Sequence, residues 1–214
     1  MSIAAVLARE TCAACGAGAA RLLIVPGLND SPPGHWQSWL QASHRDAVRV
    51  VQRDWQSPQL ERWSARIGST LSRTGGGPWI AVAHSFGVLA LARHLVDEPS
   101  SPLVAALLVA PADPDRFGVA ESLPARRLPL ASTMVLSRTD PWLSLAAGQR
   151  WAARWGSHMV DLGDAGHINP AAGFRSLPFA GRWVTAVEQR LAREARSEPA
   201  CLAERTVAAQ SQSA

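Results

Sequence analysis

The stretch Trp79-Ile80-Ala81-Val82-Ala83-His84-Ser85-Phe86-Gly87-Val88-Leu89-Ala90 decides how the chain is read. Its first half is apolar and β-branched, and Gly75-Gly76-Gly77-Pro78 precedes it, which is the pattern of a buried strand. The period then changes: Val88, Leu89, Leu91, Ala92 and Leu95 recur at helical spacing. One serine, Ser85, stands between the two, with small residues at its −2 and +2 positions. This is the spacing of the strand–turn–helix motif G-x-S-x-G, with Ala83 in place of the first glycine. A strand that reverses sharply into a helix holds its turn residue in strained geometry with the side chain exposed. The residues two positions away lie where the backbones pass close together, so they must be small. The helix behind the turn directs N–H groups and their partial positive charge toward the serine.

The flanking chain repeats the alternation. Residues 21–25 read as a first core strand, ended by the turn-rich loop 26–34. A helix over residues 35–43 carries Trp36, Trp39 and Leu40 on one face. Residues 47–51 read as a second strand, and Leu60, Trp63, Ile67 and Leu71 mark a helix. Beyond the central stretch come strands at 104–109 and 133–136, a helix at 145–155, a short strand at 158–162 and a last helix at 179–195. Six apolar strands alternating with helices predict an α/β protein, a mainly parallel sheet with helices on both faces. The expected division is an N-terminal extension over residues 1–20, one domain over 21–195, and a disordered tail over 196–214. Cys12-Ala13-Ala14-Cys15 has no second ligand pair, so its thiols read as incidental and no metal site is expected.

Composition narrows the class. In 214 residues, 47% are hydrophobic and 18% charged, the balance of one globular domain. The net charge is +4, the 21 basic residues are all arginine, and they are scattered with no block of one sign. Nucleic-acid binding is therefore not expected. No apolar run is long enough to span a membrane, and no secretory leader is read at the N-terminus. Three cysteines, an odd count, suggest no disulfide framework, which points to a reducing cytoplasm.

A serine hydroxyl is a weak nucleophile until a base takes its proton, and the base needs a third group to hold its tautomer. In a parallel sheet these partners belong just past the C-terminal ends of later strands, acid before histidine. Asp140 follows the fifth strand and His167 follows the sixth, so both can converge on Ser85. Asp113 and Asp115, after the fourth strand, are the rival acids, and Asp164 reads as a turn former. His84 should point away from the Ser85 side chain and be packed or hydrogen-bonded. His35, His44, His94 and His158 show no matching partner. The oxyanion donors expected are the backbone N–H groups of Phe86 and Leu28.

Several segments occur together in order: Val25-Pro26-Gly27 with Ser31, His35-Trp36-Gln37-Ser38-Trp39, Gln52-Arg53-Asp54-Trp55-Gln56-Ser57-Pro58, Ala83-His84-Ser85-Phe86-Gly87, Asp140-Pro141 and Ala165-Gly166-His167-Ile168. On these, residues 21–190 resemble the small serine hydrolases of the retinoblastoma-binding protein 9 (YdeN-like) family of α/β-hydrolases. The resemblance implies a compact hydrolase fold, Ser85, Asp140 and His167 as the triad, and no cofactor or metal. It transfers no protein partner, since no Leu-x-Cys-x-Glu segment occurs.

About twenty residues, 111–131, separate the fourth and fifth strands, enough for a proline-stiffened loop and too few for a helical cap. A shallow, open site is expected, bordered by this loop, with Asn29, Trp55 and Trp142 as candidate substrate contacts. The function expected is cleavage of an ester or amide bond of a small substrate, carboxylesterase-like or else amidase- or aminopeptidase-like. The alternative is a hydrolase-fold interaction module with an unused triad.

Overall fold

The computed structural model describes residues 20–211. Its sheet has six strands: β1 (Arg21–Val25), β2 (Val48–Arg49), β3 (Trp79–Ser85), β4 (Leu103–Pro111), β5 (Ala131–Leu136) and β6 (His158–Asp161). The spatial order is β2-β1-β3-β4-β5-β6 and every neighbouring pair is parallel. Five helices connect and cover it: α1 (Trp36–Ala42), α2 (Leu60–Thr74), α3 (Phe86–Asp97), α4 (Leu145–Trp155) and α5 (Pro178–Ser211). The backbone of α5 is helical well past residue 195, where the sequence reading ended it. Cys12 and Cys15 and the extension read over residues 1–19 lie outside the described residues.

Alternate strand residues sort the core into two layers, as the period of two requires. Leu23, Val25, Ala81 and Ala83 pack with Trp63 and Ile67 of α2, Leu89 of α3 and Trp155 of α4. Leu22, Ile24, Ile80 and Val82 pack on the other face with Trp36 and Leu40 of α1 and Val184 of α5. The sheet is thus buried on both sides, which is why its strands read as unbroken apolar runs. Trp39 departs from the expected face: Trp36 and Leu40 are fully buried, while Trp39 is 36% exposed. Four residues return almost to the same side of a helix, whereas three fall short and leave Trp39 on the rim.

Between β4 and β5 the chain forms a loop with one short 3-10 turn, Ala120–Ser122, and no cap domain. Among the described residues no helix is long and apolar enough to cross a membrane. The strand order reverses between β1 and β3, where successive connections leave in opposite directions. In open parallel sheets the crevice outside the strand carboxyl ends at such a reversal is the natural ligand site.

Close backbone approach at that reversal demands glycine at position 87. A Cβ there would collide with the Pro26 carbonyl oxygen and lie 2.6 Å from that of Val25. Ala83, two residues before the turn, accommodates its own methyl in full burial. Gly87→Ala is therefore expected to destabilise the fold by about 1–3 kcal/mol or more, read as a lowered urea midpoint. Ala83→Gly removes one methyl and should cost less in the same measurement.

Candidate functional site

Ser85 ends β3 and immediately precedes α3, with φ 55° and ψ −127°. A non-glycine residue in this region is strained, and the packing of Gly87 and Gly27 around it holds it there. A Cβ on Gly27 would sit 2.7 Å from Ser85 Cβ and 3.3 Å from its Oγ, so the loop after β1 presses its bare backbone against the serine.

His167 lies after β6, in the loop that follows Asp161. Its Nε2 is 2.9 Å from Ser85 Oγ, and its Nδ1 is 2.9 Å from both carboxylate oxygens of Asp140. With Nδ1–H donated to the carboxylate, Nε2 is left as the acceptor for the serine hydroxyl. The Asp140 side chain is 3% exposed and that of His167 9%, so the pair is shielded while the serine faces the crevice. Three residues beside Asp140 bind its loop to that of His167. Ser137 Oγ accepts from the backbone N–H of Ala165 and Thr139 Oγ1 from that of Gly166. Arg138 Nε donates to Asp161 at 2.8 Å, which raises the arginine pKa; the Asp161 pKa is lowered first by the Gly163 N–H bond to its carboxylate and then by Arg138. The rival Asp113 instead accepts from the Asp115 N–H in its own turn.

Beneath His167 the support is also made of rings. His84 points to the opposite side of β3 from Ser85, and its Nε2 donates to the His167 carbonyl at 3.0 Å. Trp36 Nε1 donates to the next carbonyl, Ile168, at 2.8 Å. His35 caps α1, its Nδ1 accepting from Gln37 N–H, and its ring centroid lies 5.0 Å from that of His84. Burial, then the neighbouring His167, pushes the His84 pKa well below its usual value. Burial and then Arg49 push His35 down to about 4. Both imidazoles are neutral at pH 7.

The loop after β1 is held by contacts that pairwise sequence reading does not reveal. Gln37 is fully buried and donates to the carbonyls of Val25 and Val82 while accepting from Ser31 Oγ. Arg49 on β2 donates to Asp30, the Ser31 carbonyl, Ser38 and Gln41, all within 2.8 Å. These bonds stabilise the left-handed backbone of Asn29 (φ 64°) and Asp30 (φ 61°) at the rim.

A cavity of about 390 Å³ opens over the serine, lined in part by Leu28, Asn29, His35, Phe117, Trp142 and Asn169. Of the residues named from sequence, Leu28, Asn29 and Trp142 line it. Trp55 does not: it packs edge-on against Trp63, ring centroids 5.8 Å apart, and reaches the rim only through its carbonyl, which accepts from Asn29 N–H. The Leu28 N–H has no acceptor among the described residues. The Phe86 N–H is in the first turn of α3, where a helix supplies none. Phe117, from the β4–β5 loop, packs on Phe86 at 5.0 Å and is not signalled by the sequence, because a lone phenylalanine in a loop carries no periodic pattern. His35, which shows no matching partner in the sequence, is on the cavity wall. Among the described residues no group of three or more His, Cys, Asp or Glu is placed to hold a metal ion.

The buried neutral histidines carry one sign for stability. The unfolded chain binds protons near pH 6.5, whereas the folded chain resists them, so stability falls as the pH drops below that value. The urea midpoint is expected to fall between pH 7 and pH 5, with His35 contributing roughly 2 kcal/mol of the loss. His84→Gln should give a shallower decline over the same interval.

Residues 22–195 match the sequence model of the family described as Serine hydrolase. A structure described as a YdeN-like hydrolase, from Pectobacterium atrosepticum SCRI1043, is 35% identical with a TM-score of 0.75, covering 80% of this chain and 91% of that one. The ydeN gene product from B. subtilis is 22% identical with a TM-score of 0.66, covering 78% and 97%. The esterase RhEst1 from Rhodococcus sp. ECU1013 shares the fold at 14% identity and a TM-score of 0.58, covering 83% and 92%. No curated protein matches the chain. The chain belongs to the serine hydrolase family, as a YdeN-like member of the α/β-hydrolases.

Proposed function

We propose that the chain cleaves a carboxylic ester or amide bond of a small substrate through an acyl-enzyme on Ser85. His167 Nε2 takes the Ser85 proton as Oγ attacks the scissile carbonyl carbon, and Asp140 stabilises the imidazolium that forms. The carbonyl oxygen, now negative, is received by the N–H groups of Phe86 and Leu28. His167 then gives its proton to the departing alcohol or amine, leaving the acyl group on Ser85. A water molecule, deprotonated by His167, releases the acid and restores the serine.

The observation that carries this reading is the unbroken relay of 2.9 Å contacts from Ser85 through His167 to a shielded Asp140. The open cavity suits a small acyl or aryl group packed between Leu28, Phe117 and Trp142. Carboxylesterase-like turnover is the first expectation, amidase- or aminopeptidase-like turnover the second. The chemistry uses only the three side chains and two backbone donors, without a cofactor, and the cytoplasm is its proposed setting.

A fluorophosphonate probe should label the wild type covalently and fail to label Ser85→Ala. A folded wild type that takes no label would overturn the proposal. Asp140→Asn is expected to lower kcat on p-nitrophenyl esters on the order of 10⁴-fold, by leaving the imidazole in the wrong tautomer. A kcat equal to the wild type would remove Asp140 from this role.

A further inference from the structure

We infer that His35 is a specificity-determining residue, its Nε2–H donating to a neutral oxygen acceptor on the substrate; the inference rests on the acyl-enzyme reading above. His35 is 4% exposed and lines the cavity that holds Ser85. Its two nitrogens have separate fates. Nδ1 accepts from the Gln37 N–H at 3.1 Å, and an imidazole that accepts at one nitrogen and is neutral carries its proton on the other. The ring is neutral at pH 7, its pKa pushed down to about 4 by burial and by Arg49. Nε2 is therefore a donor.

That donor makes no hydrogen bond among the described residues. The enclosed side-chain nitrogens without a hydrogen-bond partner among the described residues are Trp79 Nε1 and Arg190 Nε. His35 Nε2 is not among these enclosed atoms, and its residue lines the cavity. A buried polar side chain packed against Trp36 and His84, with ring centroids 5.4 and 5.0 Å away, presents its N–H at little further entropic cost. His35, His84 and His167 form a row with spacings of 5.0 and 4.9 Å, and His35 lines the same cavity as Ser85.

The rest of the wall defines the acceptor. Asn169 Oδ1 is committed to the Ala172 N–H, leaving its amide N–H₂ as a second donor. Asp30, a lining residue, is neutralised by Arg49 at 2.8 Å. No arginine lines the cavity and the chain has no lysine, so a substrate carboxylate would enter without a counter-ion on the wall. A keto, ether or hydroxyl oxygen meets these donors without that penalty.

The test compares substrates that differ by one oxygen, on either side of the scissile bond. The acyl pair is p-nitrophenyl 4-oxopentanoate against pentanoate, and the leaving-group pair is 2-methoxyethyl acetate against butyl acetate. In one pair the wild type should favour the oxygen-bearing member by about 2- to 10-fold in kcat/KM, through KM. His35→Asn and His35→Ser preserve an N-cap side chain and should bring that ratio toward one. Any general loss in the variants cancels in the ratio. A wild-type ratio near one in both pairs, or ratios unchanged in the variants, overturns the assignment to His35 while fluorophosphonate labelling still upholds the hydrolase reading. A wild type that resists the probe sinks both.

Discussion

Helix α3 begins against the carbonyl oxygens of Val25 and Pro26, and that approach is possible only because residue 87 has no side chain. The contact brings together the carboxyl ends of the two strands at which the sheet order reverses. It forces the preceding residue, Ser85, into a positive φ that an L-residue avoids unless the surroundings over-determine it. The same crowding sets the neighbouring loop: Gly27 leans on Ser85 Cβ, and the Leu28 N–H that follows has no acceptor among the described residues. An exposed hydroxyl, a helix N-terminus and unpaired N–H groups therefore coincide for steric reasons, before any histidine is considered.

The second requirement, on the proposed mechanism, is that a proton-accepting imidazole be steady without being charged from below. Two buried donors, His84 Nε2 and Trp36 Nε1, hold the successive carbonyls of His167 and Ile168. A cation in either place would oppose protonation of the His167 ring, whose centroid is only 4.9 Å from that of His84. Burial keeps His84 neutral, so the charge that the proposed mechanism creates on His167 meets the Asp140 carboxylate alone. Polar rings serve here as uncharged supports, and the row ends at His35, which is both a helix cap and a wall of the cavity.

The loops that present these groups are stiffened by bonds between segments distant in sequence. Arg49 fastens the loop after β1 through four acceptors, and Ser137 and Thr139 fasten the His167 loop to that of Asp140. The β4–β5 connection contributes Phe117 to the cavity wall and, among the described residues, only one short 3-10 turn, with no cap domain.

The sequence by itself determined the strands, the order of elements and the positions of Ser85, Asp140 and His167, because each is announced locally. Apolar runs, a switch of period around one serine and turn residues after a strand are properties of short segments. Tertiary structure decided everything that depends on which distant groups meet. Trp55 and Trp142 look alike in sequence, yet one packs edge-on against Trp63 and the other stands 6.1 Å from the ring of His167. Arg49 is one arginine among 21 basic residues until the fold sets it beside Asp30 and Ser38. His35 shows no partner along the chain because its partners, a cap N–H and an open cavity, are defined only by folding. Periodicity records which side of an element is buried, but not what lies across from it.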